Sequence, residues 1–167
     1  MLYEGRIIRV KKDTVRLEND ATATREVVMH HGGVCILPLT DAGEVLLVRQ
    51  FRYPYGQVVV EAPAGKLEPG EDPLECGKRE LLEETGMAAS DYRFLGELYP
   101  SPGYCDEVIS LYLATGLTEK AQQLDEDEFL EVDRVPLDTA VEQILSGEIK
   151  DSKTQAVVLK TKLLLGK

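Results

Sequence analysis

The sequence predicts a mixed β-sheet flanked by α-helices on both faces, within a single α+β domain. Strand-like segments dominate the first half of the chain, and the helix-like segments are too few to connect all of the strands as crossovers. The 167 residues correspond to one domain of ordinary size. With 43% hydrophobic and 29% charged residues, the composition is that of a soluble globular protein.

The predicted strands are rich in β-branched residues, and many alternate apolar and polar side chains. In chain order they span residues 5–17, 25–30, 33–39, 44–51, 57–62, 92–99, 108–114 and 129–135. Asp41-Ala42-Gly43 separates two apolar runs and predicts a hairpin turn, because glycine supplies the positive φ that such loops need. The first two predicted strands, 5–17 and 25–30, indicate an N-terminal β extension over residues 1–30.

Three helices are predicted. The clearest follows Asp72, whose side chain can cap free backbone N–H groups, and Pro73 suits the first helical position. Gly86 lies where a left-handed C-terminal cap belongs. Two further helices are predicted at 137–145 and at about 152–165.

The bulk properties exclude several classes of protein. A net charge of −11 disfavours non-specific binding to nucleic acid or anionic membrane, since both polyanions are repelled. The apolar runs are far shorter than the roughly 18 to 20 residues that cross a bilayer, and the first residues do not resemble a signal peptide. Three widely spaced cysteines are typical of reduced thiols. These observations predict a cytoplasmic protein.

Residues 65–87 place glycine, carboxylates and one arginine at fixed spacings. The pattern is Gly65, five residues, Glu71, seven residues, Arg79-Glu80-Leu81, one residue, Glu83-Glu84, one residue, Gly86-Met87. Seven such positions coincide by chance on the order of once in 10⁸ start sites. A solvated acidic helix face would explain three glutamates alone, but it does not explain the whole pattern.

The helix geometry of this segment favours a metal site. At about 100° per residue, Glu80 and Glu84 lie one turn apart on one face, with Glu83 adjacent. Such like charges destabilise a helix by a few tenths of a kcal/mol. A divalent cation with oxygen ligands reverses the sign of that interaction.

The pattern resembles the signature of the Nudix hydrolases, and the similarity to their ADP-ribose pyrophosphatase branch extends over nearly the whole chain. The resemblance implies a Nudix-type α/β/α sandwich. It also implies Mg²⁺-dependent hydrolysis of ADP-ribose to AMP and ribose 5-phosphate, with Mn²⁺ able to substitute. The alternatives are a broad nucleoside diphosphate sugar pyrophosphatase and a non-catalytic ADP-ribose sensor. The intact glutamates argue against the sensor.

The resemblance also implies roles for particular residues. The metal ligands would be Glu80, Glu83, Glu84 and the backbone carbonyl of Ala64, with Arg79 holding the glutamates in place. A catalytic base is often supplied from a loop after the later strands, which here contains Glu126 and Glu128. Either of them would serve, and Glu83 is the alternative within the signature.

Further segments resemble the ADP-ribose branch. Pro102 lies sixteen residues after Gly86 (86 to 102), the spacing that marks ADP-ribose hydrolases. The implied substrate-binding residues are Arg25, Glu26, Arg52, Pro102, Gly103 and Glu107. Arg25 and Glu26 match a pair that reaches the adenine side of the pocket, in some members across a dimer interface. A homodimer is therefore expected, with residues 1–30 contributing to its interface.

Overall fold

A computed structural model describes residues 1–122 and 129–166. The helices are α1 (Pro73–Thr85), α2 (Leu137–Leu145) and α3 (Ser152–Leu165), and a short 3-10 helix spans Tyr53–Tyr55. The strands are β1 (Tyr3–Glu4), β2 (Arg9–Arg16), β3 (Thr22–Met29), β4 (Gly33–Pro38), β5 (Glu44–Arg52), β6 (Gln57–Glu61), β7 (Ala64–Lys66), β8 (Met87–Leu98), β9 (Ile109–Glu119) and β10 (Leu130–Pro136).

The strands form three sheets. The central sheet is mixed, with the order β7-β4-β9-β8; β4 and β9 run parallel and the other neighbours antiparallel. A second, antiparallel sheet has the order β10-β5-β6, and a bridge between Leu39 and Val45 connects it to the end of β4. The third sheet is the N-terminal set β1-β2-β3.

Strand β4 is buried on both faces, which places helices on two sides of the central sheet. Cys35 and Leu37 pack into a cluster that includes residues of α2 and α3, such as Ala140 and Val157. Ile36, whose side chain points the other way, packs against Leu81 of α1. The fold is therefore the predicted α/β/α arrangement.

Each predicted helix and strand corresponds to an element of the structure, although β8 begins five residues earlier than predicted (87 against 92) and β9 ends five residues later (119 against 114). Helix α1 begins after Asp72, which accepts hydrogen bonds from Leu74 N and Glu75 N, and it ends at Gly86 with φ of 67°. Strands β1 and β7 and the 3-10 helix are not predicted. Strand β7 lies in a Pro-Ala-Gly segment that reads as a break, and it is a strand because β4 supplies its pairing partners. The predicted single sheet is divided into the mixed and antiparallel sheets.

The N-terminal sheet is joined to the body through the loop that follows β8. Val28 N donates to Tyr104 O at 2.7 Å, and Asp106 N donates to Val28 O at 3.1 Å. The His30 amide donates to the Asp106 carboxylate at 2.8 Å. This loop contains the Ser101-Pro102-Gly103 segment, which is thereby held against the end of β3. Among the described residues, no helix is long and apolar enough to cross a membrane.

Candidate active site

A cavity of about 1150 Å³ opens where the end of α1, the β5–β6 hairpin and the start of α3 meet. Alternate residues of the hairpin face it, namely Gln50 and Arg52 on β5 and Gln57, Val59 and Glu61 on β6. This follows from the two-residue period of a strand, which directs every second side chain to the same face. The cavity is therefore walled by a sheet face on one side and by α1 on the other.

Helix α1 presents its carboxylates to this cavity. Glu80, Glu83 and Glu84 all line it. Glu80 and Glu84 are 8% and 3% exposed, so they are among the few buried charged residues of the described chain. Buried carboxylates are costly unless they are paired, hydrogen-bonded or bound to a metal, and this burial agrees with a functional rather than a solubilising role.

Arg79 connects the carboxylates of the signature. Its Nη1 donates to Glu80 Oε1 at 2.8 Å and to Glu83 Oε2 at 3.0 Å. Its Nε and Nη2 donate to the two oxygens of Glu71 at 3.1 and 3.2 Å. The fork geometry of a guanidinium allows these contacts simultaneously, whereas an ammonium group does not offer the same planar set of donors.

Glu71 anchors Arg79 from outside the cavity. The Arg79 hydrogen bonds lower the pKa of Glu71 to about 2, and hydrogen bonding to Glu71 raises the pKa of Arg79. Glu71 Oε2 also accepts a hydrogen bond from Glu68 N at 2.9 Å. Glu71 thus contacts the α1 carboxylates through Arg79.

Gly65 leaves the space that Glu80 occupies. A Cβ atom at Gly65 would lie 1.8 Å from Glu80 Oε1, so only glycine permits the glutamate to lie against this part of the chain. The neighbouring Ala64 donates its N–H to Glu84 Oε2 at 3.1 Å. The β6–β7 connection and the α1 carboxylates are consequently packed directly against each other.

The residues of this cradle fit a divalent cation by their chemistry. Their carboxylate and carbonyl oxygens are the ligands that hard cations such as Mg²⁺ prefer. Glu80 lies against Gly65, and Glu84 is hydrogen-bonded to Ala64 N. In residues 1–122 and 129–166, no three His, Cys, Asp or Glu side chains are arranged as a complete metal site. Arg79 is the cation that contacts Glu80 and Glu83 in this arrangement.

A second charged cluster borders the cavity and was not predicted. Arg52 donates two hydrogen bonds to Glu61, at 2.7 and 2.8 Å, and Lys153 also donates to Glu61. Lys153 lies 3.0 Å from Asp151. Although burial acts to raise it, hydrogen bonding from Arg52 and the charge of Lys153 lower the pKa of Glu61. The only sequence signal for Glu61 was its alternation with Gln57 and Val59.

The cavity brings together most of the predicted site residues. Those that line it are Arg52, Ala64, Arg79, Glu80, Glu83, Glu84 and Glu107. Pro102 and Gly103 are exposed and do not line it, although the preceding Ser101 does. Arg25 and Glu26 are exposed on β3 and also lie outside the cavity wall of this chain. Glu126 and Glu128 lie outside the described residues.

His30 and His31 also line the cavity. The His30 Nδ1 atom accepts a hydrogen bond from Gly32 N at 3.1 Å and lies 3.3 Å from Glu107 Oε1. An Nδ1 atom that accepts from Gly32 N has no proton to donate to Glu107. The imidazole therefore holds the turn at Gly32, and Glu107 lies beside it.

Residues 29–156 match the NUDIX domain family. This segment includes the carboxylate helix, the β5–β6 hairpin and the start of α3. The chain belongs to the Nudix family. Known members with similar sequences or structures agree with this assignment.

Two curated bacterial relatives cover most of the chain. The ADP-ribose pyrophosphatase of Bacillus subtilis (strain 168) is 42% identical over 155 residues, covering 92% of this chain and 84% of the relative. The methanol dehydrogenase activator of Bacillus methanolicus is 42% identical over 159 residues, covering 94% and 86%. The crystal structure of an ADP compounds hydrolase has a TM-score of 0.87 at 22% identity, covers 99% of this chain and 90% of its own, and shows the shared fold.

Proposed function

We propose that this Nudix protein hydrolyses the diphosphate linkage of ADP-ribose, giving AMP and ribose 5-phosphate, with Mg²⁺ as its cofactor. The observation that carries the proposal is the arrangement of Arg79 and the buried α1 glutamates on one wall of a cavity of about 1150 Å³. A cavity of this size lies slightly above the usual range of about 300 to 1,000 Å³ for small-molecule sites. The similarity to the Bacillus subtilis pyrophosphatase supports the choice of substrate.

Residues of α1 and the first residue of β7 would hold the cofactor. Glu80, Glu83 and Glu84 would supply carboxylate oxygens, and Ala64 would supply its backbone carbonyl. When bound, a divalent cation neutralises charge on the diphosphate and lowers the pKa of a coordinated water. Arg79, held by Glu71, fixes where Glu80 and Glu83 lie, and the Ala64 amide contacts Glu84.

The opposite wall would bind the substrate phosphates. Arg52 lines the cavity with its guanidinium held by Glu61, and a guanidinium matches phosphate geometry well. Water attacks one phosphorus and gives a proton to a base, while the bond from that phosphorus to the bridging oxygen breaks. The bridging oxygen leaves on the other phosphate as an anion, and the base then releases its proton to solvent. The base that accepts the proton from water would be Glu126 or Glu128, with Glu83 as the alternative.

A homodimer would complete the site. Arg25 and Glu26 lie on exposed β3, outside the cavity of their own chain, yet the family resemblance assigns them to the adenine side of the pocket. Both requirements are met if β3 of one protomer reaches the cavity of its partner. Exposed apolar residues at the N-terminus, including Leu2, Tyr3 and Ile7, support an interface there.

The cysteines and the net charge of the chain support action on a small molecule in the cytoplasm. Cys35, Cys76 and Cys105 are free thiols, which agrees with a reducing compartment. The net charge of −11 disfavours nucleic acid as a partner.

The alternative activity is hydrolysis of many nucleoside diphosphate derivatives with little preference. The name of the Bacillus methanolicus relative describes an effect on another enzyme rather than a bond that is broken, so it does not decide the substrate.

Product analysis distinguishes these activities. We expect AMP and ribose 5-phosphate from ADP-ribose, with kcat/KM at least about tenfold above that for ADP-glucose, GDP-mannose, NADH, FAD and diadenosine polyphosphates. Similar kcat/KM values across the panel would replace the proposal with the broad activity. Tight binding of ADP-ribose without products, at saturating Mg²⁺, would indicate a sensor.

A further inference from the structure

The cluster of Arg52, Glu61 and Lys153 joins three elements at the side of the cavity. Glu61 accepts hydrogen bonds from Arg52 through both carboxylate oxygens, at 2.7 and 2.8 Å. The Lys153 ammonium donates to the second of these oxygens from the start of α3. The Glu61 side chain is only 4% exposed, whereas the Arg52 side chain is 39% exposed, so the cluster extends from a buried carboxylate to an accessible guanidinium.

Arg52 keeps donors that the protein does not use. Its Nε and Nη2 atoms are bound to Glu61, and its Nη1 atom has no hydrogen-bond acceptor within the part of the chain that the structure describes. Arg52 lines the cavity, so this remaining edge is available to a ligand there. The orientation of that edge is set by Glu61, because two parallel hydrogen bonds fix a guanidinium plane.

Lys153 is itself held in place by the N-terminus of α3. Asp151 caps this helix by accepting hydrogen bonds from Thr154 N at 2.8 Å and Thr154 Oγ1 at 2.6 Å. Thr154 Oγ1 accepts in turn from Ala62 N at 2.8 Å, immediately after β6. The same Asp151 lies 3.0 Å from the Lys153 ammonium. Lys153 therefore approaches Glu61 from α3, a different element, whose first turn is itself hydrogen-bonded to the residue after β6.

We propose that Lys153 is a positioning residue for substrate binding, which fixes Glu61 and through it directs the Arg52 guanidinium at the substrate phosphate. The role rests on the proposed function, in which Arg52 binds that phosphate. An arginine paired with a single carboxylate can still move together with it. A second cation from a different element removes this freedom, and pre-organised donors bind a ligand at lower entropic cost.

A double-mutant cycle between Lys153 and Glu61 tests this role. Lys153→Met removes the ammonium and keeps a long side chain. Glu61→Gln keeps one acceptor of the two that Arg52 uses and removes the charge that attracts Lys153. We expect Lys153→Met to raise the KM for ADP-ribose roughly 3- to 30-fold with kcat within about twofold, and Lys153→Arg to recover much of the loss. In the Glu61→Gln background, Lys153→Met should raise KM less than about twofold further.

Controls separate this role from direct contact and from stability. Lys162→Met, on the same helix but paired with Asp138, should leave KM unchanged. An additive rise in KM in the Glu61→Gln background would mean that Lys153 touches the substrate itself and would overturn the proposal. A lower Tm with unchanged KM would also overturn it, since Lys153 would then only stabilise the fold. Failure of the wild type to hydrolyse ADP-ribose contradicts the proposed function instead.

Discussion

Glu80 and Glu84 illustrate at the residue scale how a costly arrangement indicates function. The two carboxylates lie one turn apart, and both are largely removed from water. Arg79 Nη1 contacts Glu80 and Glu83, and the Ala64 amide donates to Glu84. These contacts reduce the electrostatic cost of the cluster, and a divalent cation would reduce it further.

Replacing Glu84 by glutamine should lower activity while leaving the fold intact. We expect kcat/KM to fall about 10²-fold or more, because a charged ligand is lost, and raising Mg²⁺ should recover only part of the loss. The free energy of unfolding should rise by a few tenths of a kcal/mol, since repulsion with Glu80 is relieved. Steady-state kinetics and urea unfolding measure both quantities. The control is Glu75→Gln, an exposed glutamate paired with Lys78 on the same helix; equal losses in both variants would contradict the assignment.

The pair of Glu71 and Arg79 should contribute to stability in a defined pH range. The pKa of Glu71 is about 2 in the folded chain, against an ordinary value of 4.5. A lowered pKa stabilises the fold above the ordinary value, and the contribution is lost as pH falls towards the folded pKa. The difference in unfolding free energy between wild type and Glu71→Gln should therefore rise from pH 3 to about pH 5 and stay constant above. A difference that does not change over this range would contradict the pairing.

At the scale of elements, the site depends on where α1 ends, where α3 begins and how the β5–β6 hairpin lies between them. Asp72 and Gly86 set the limits of α1, and Asp151 sets the start of α3. Because the carboxylates lie in the last two turns of α1 and Lys153 in the first turn of α3, the ends of both helices meet the cavity. The segment between β9 and β10 contains the two glutamates that the sequence favours as bases.

Variants of this segment test the base directly. Glu126→Gln or Glu128→Gln should lower kcat by roughly 10²- to 10⁴-fold, the usual contribution of general base catalysis, with substrate and metal binding nearly unchanged. Rapid-quench turnover and equilibrium binding of ADP-ribose measure the two effects separately. Full turnover in both single variants and in the double variant, at saturating Mg²⁺, would transfer the role to the α1 carboxylates, with Glu83 first.

At the scale of the whole molecule, the cavity is assembled from residues that are far apart in the chain. Ala64, Glu84, Glu107 and Lys153 all line it. The N-terminal sheet contacts the body through the loop after β8, and Arg25 lies exposed on it. Under the proposed function, the complete active site requires both a bound cation and a second protomer.

Removing divalent cations should abolish turnover. We expect no measurable hydrolysis of ADP-ribose in excess EDTA, and recovery on adding Mg²⁺ or Mn²⁺. A divalent cation both neutralises charge on the diphosphate and lowers the pKa of a coordinated water, and a guanidinium such as that of Arg52 does not supply the second effect. Circular dichroism should show that the chain stays folded without metal. Undiminished hydrolysis in EDTA would end the metal assignment.

Mixed dimers test whether Arg25 serves the partner's cavity. The Arg25→Ala and Glu84→Gln variants should each be weakly active alone. After subunit exchange, one cavity of each heterodimer would combine an intact Glu84 with the partner's Arg25, so about a quarter of all sites should regain wild-type activity. No recovery in a sample that light scattering shows to be dimeric would place Arg25 in its own chain's site or outside it.

The sequence by itself determined the features that depend on neighbouring residues. Asp72 and Gly86 bound α1, and the spacing of Glu80, Glu83 and Glu84 predicts their common face, because capping and helical period act within a few residues. The tertiary structure decided which distant groups meet. Glu61 and Lys153 are 92 positions apart and form an ion pair that no local pattern indicates. Strand β7 likewise exists because β4 supplies its partner. Such contacts follow from the packing of whole elements, and the position of the Arg52 guanidinium depends on them.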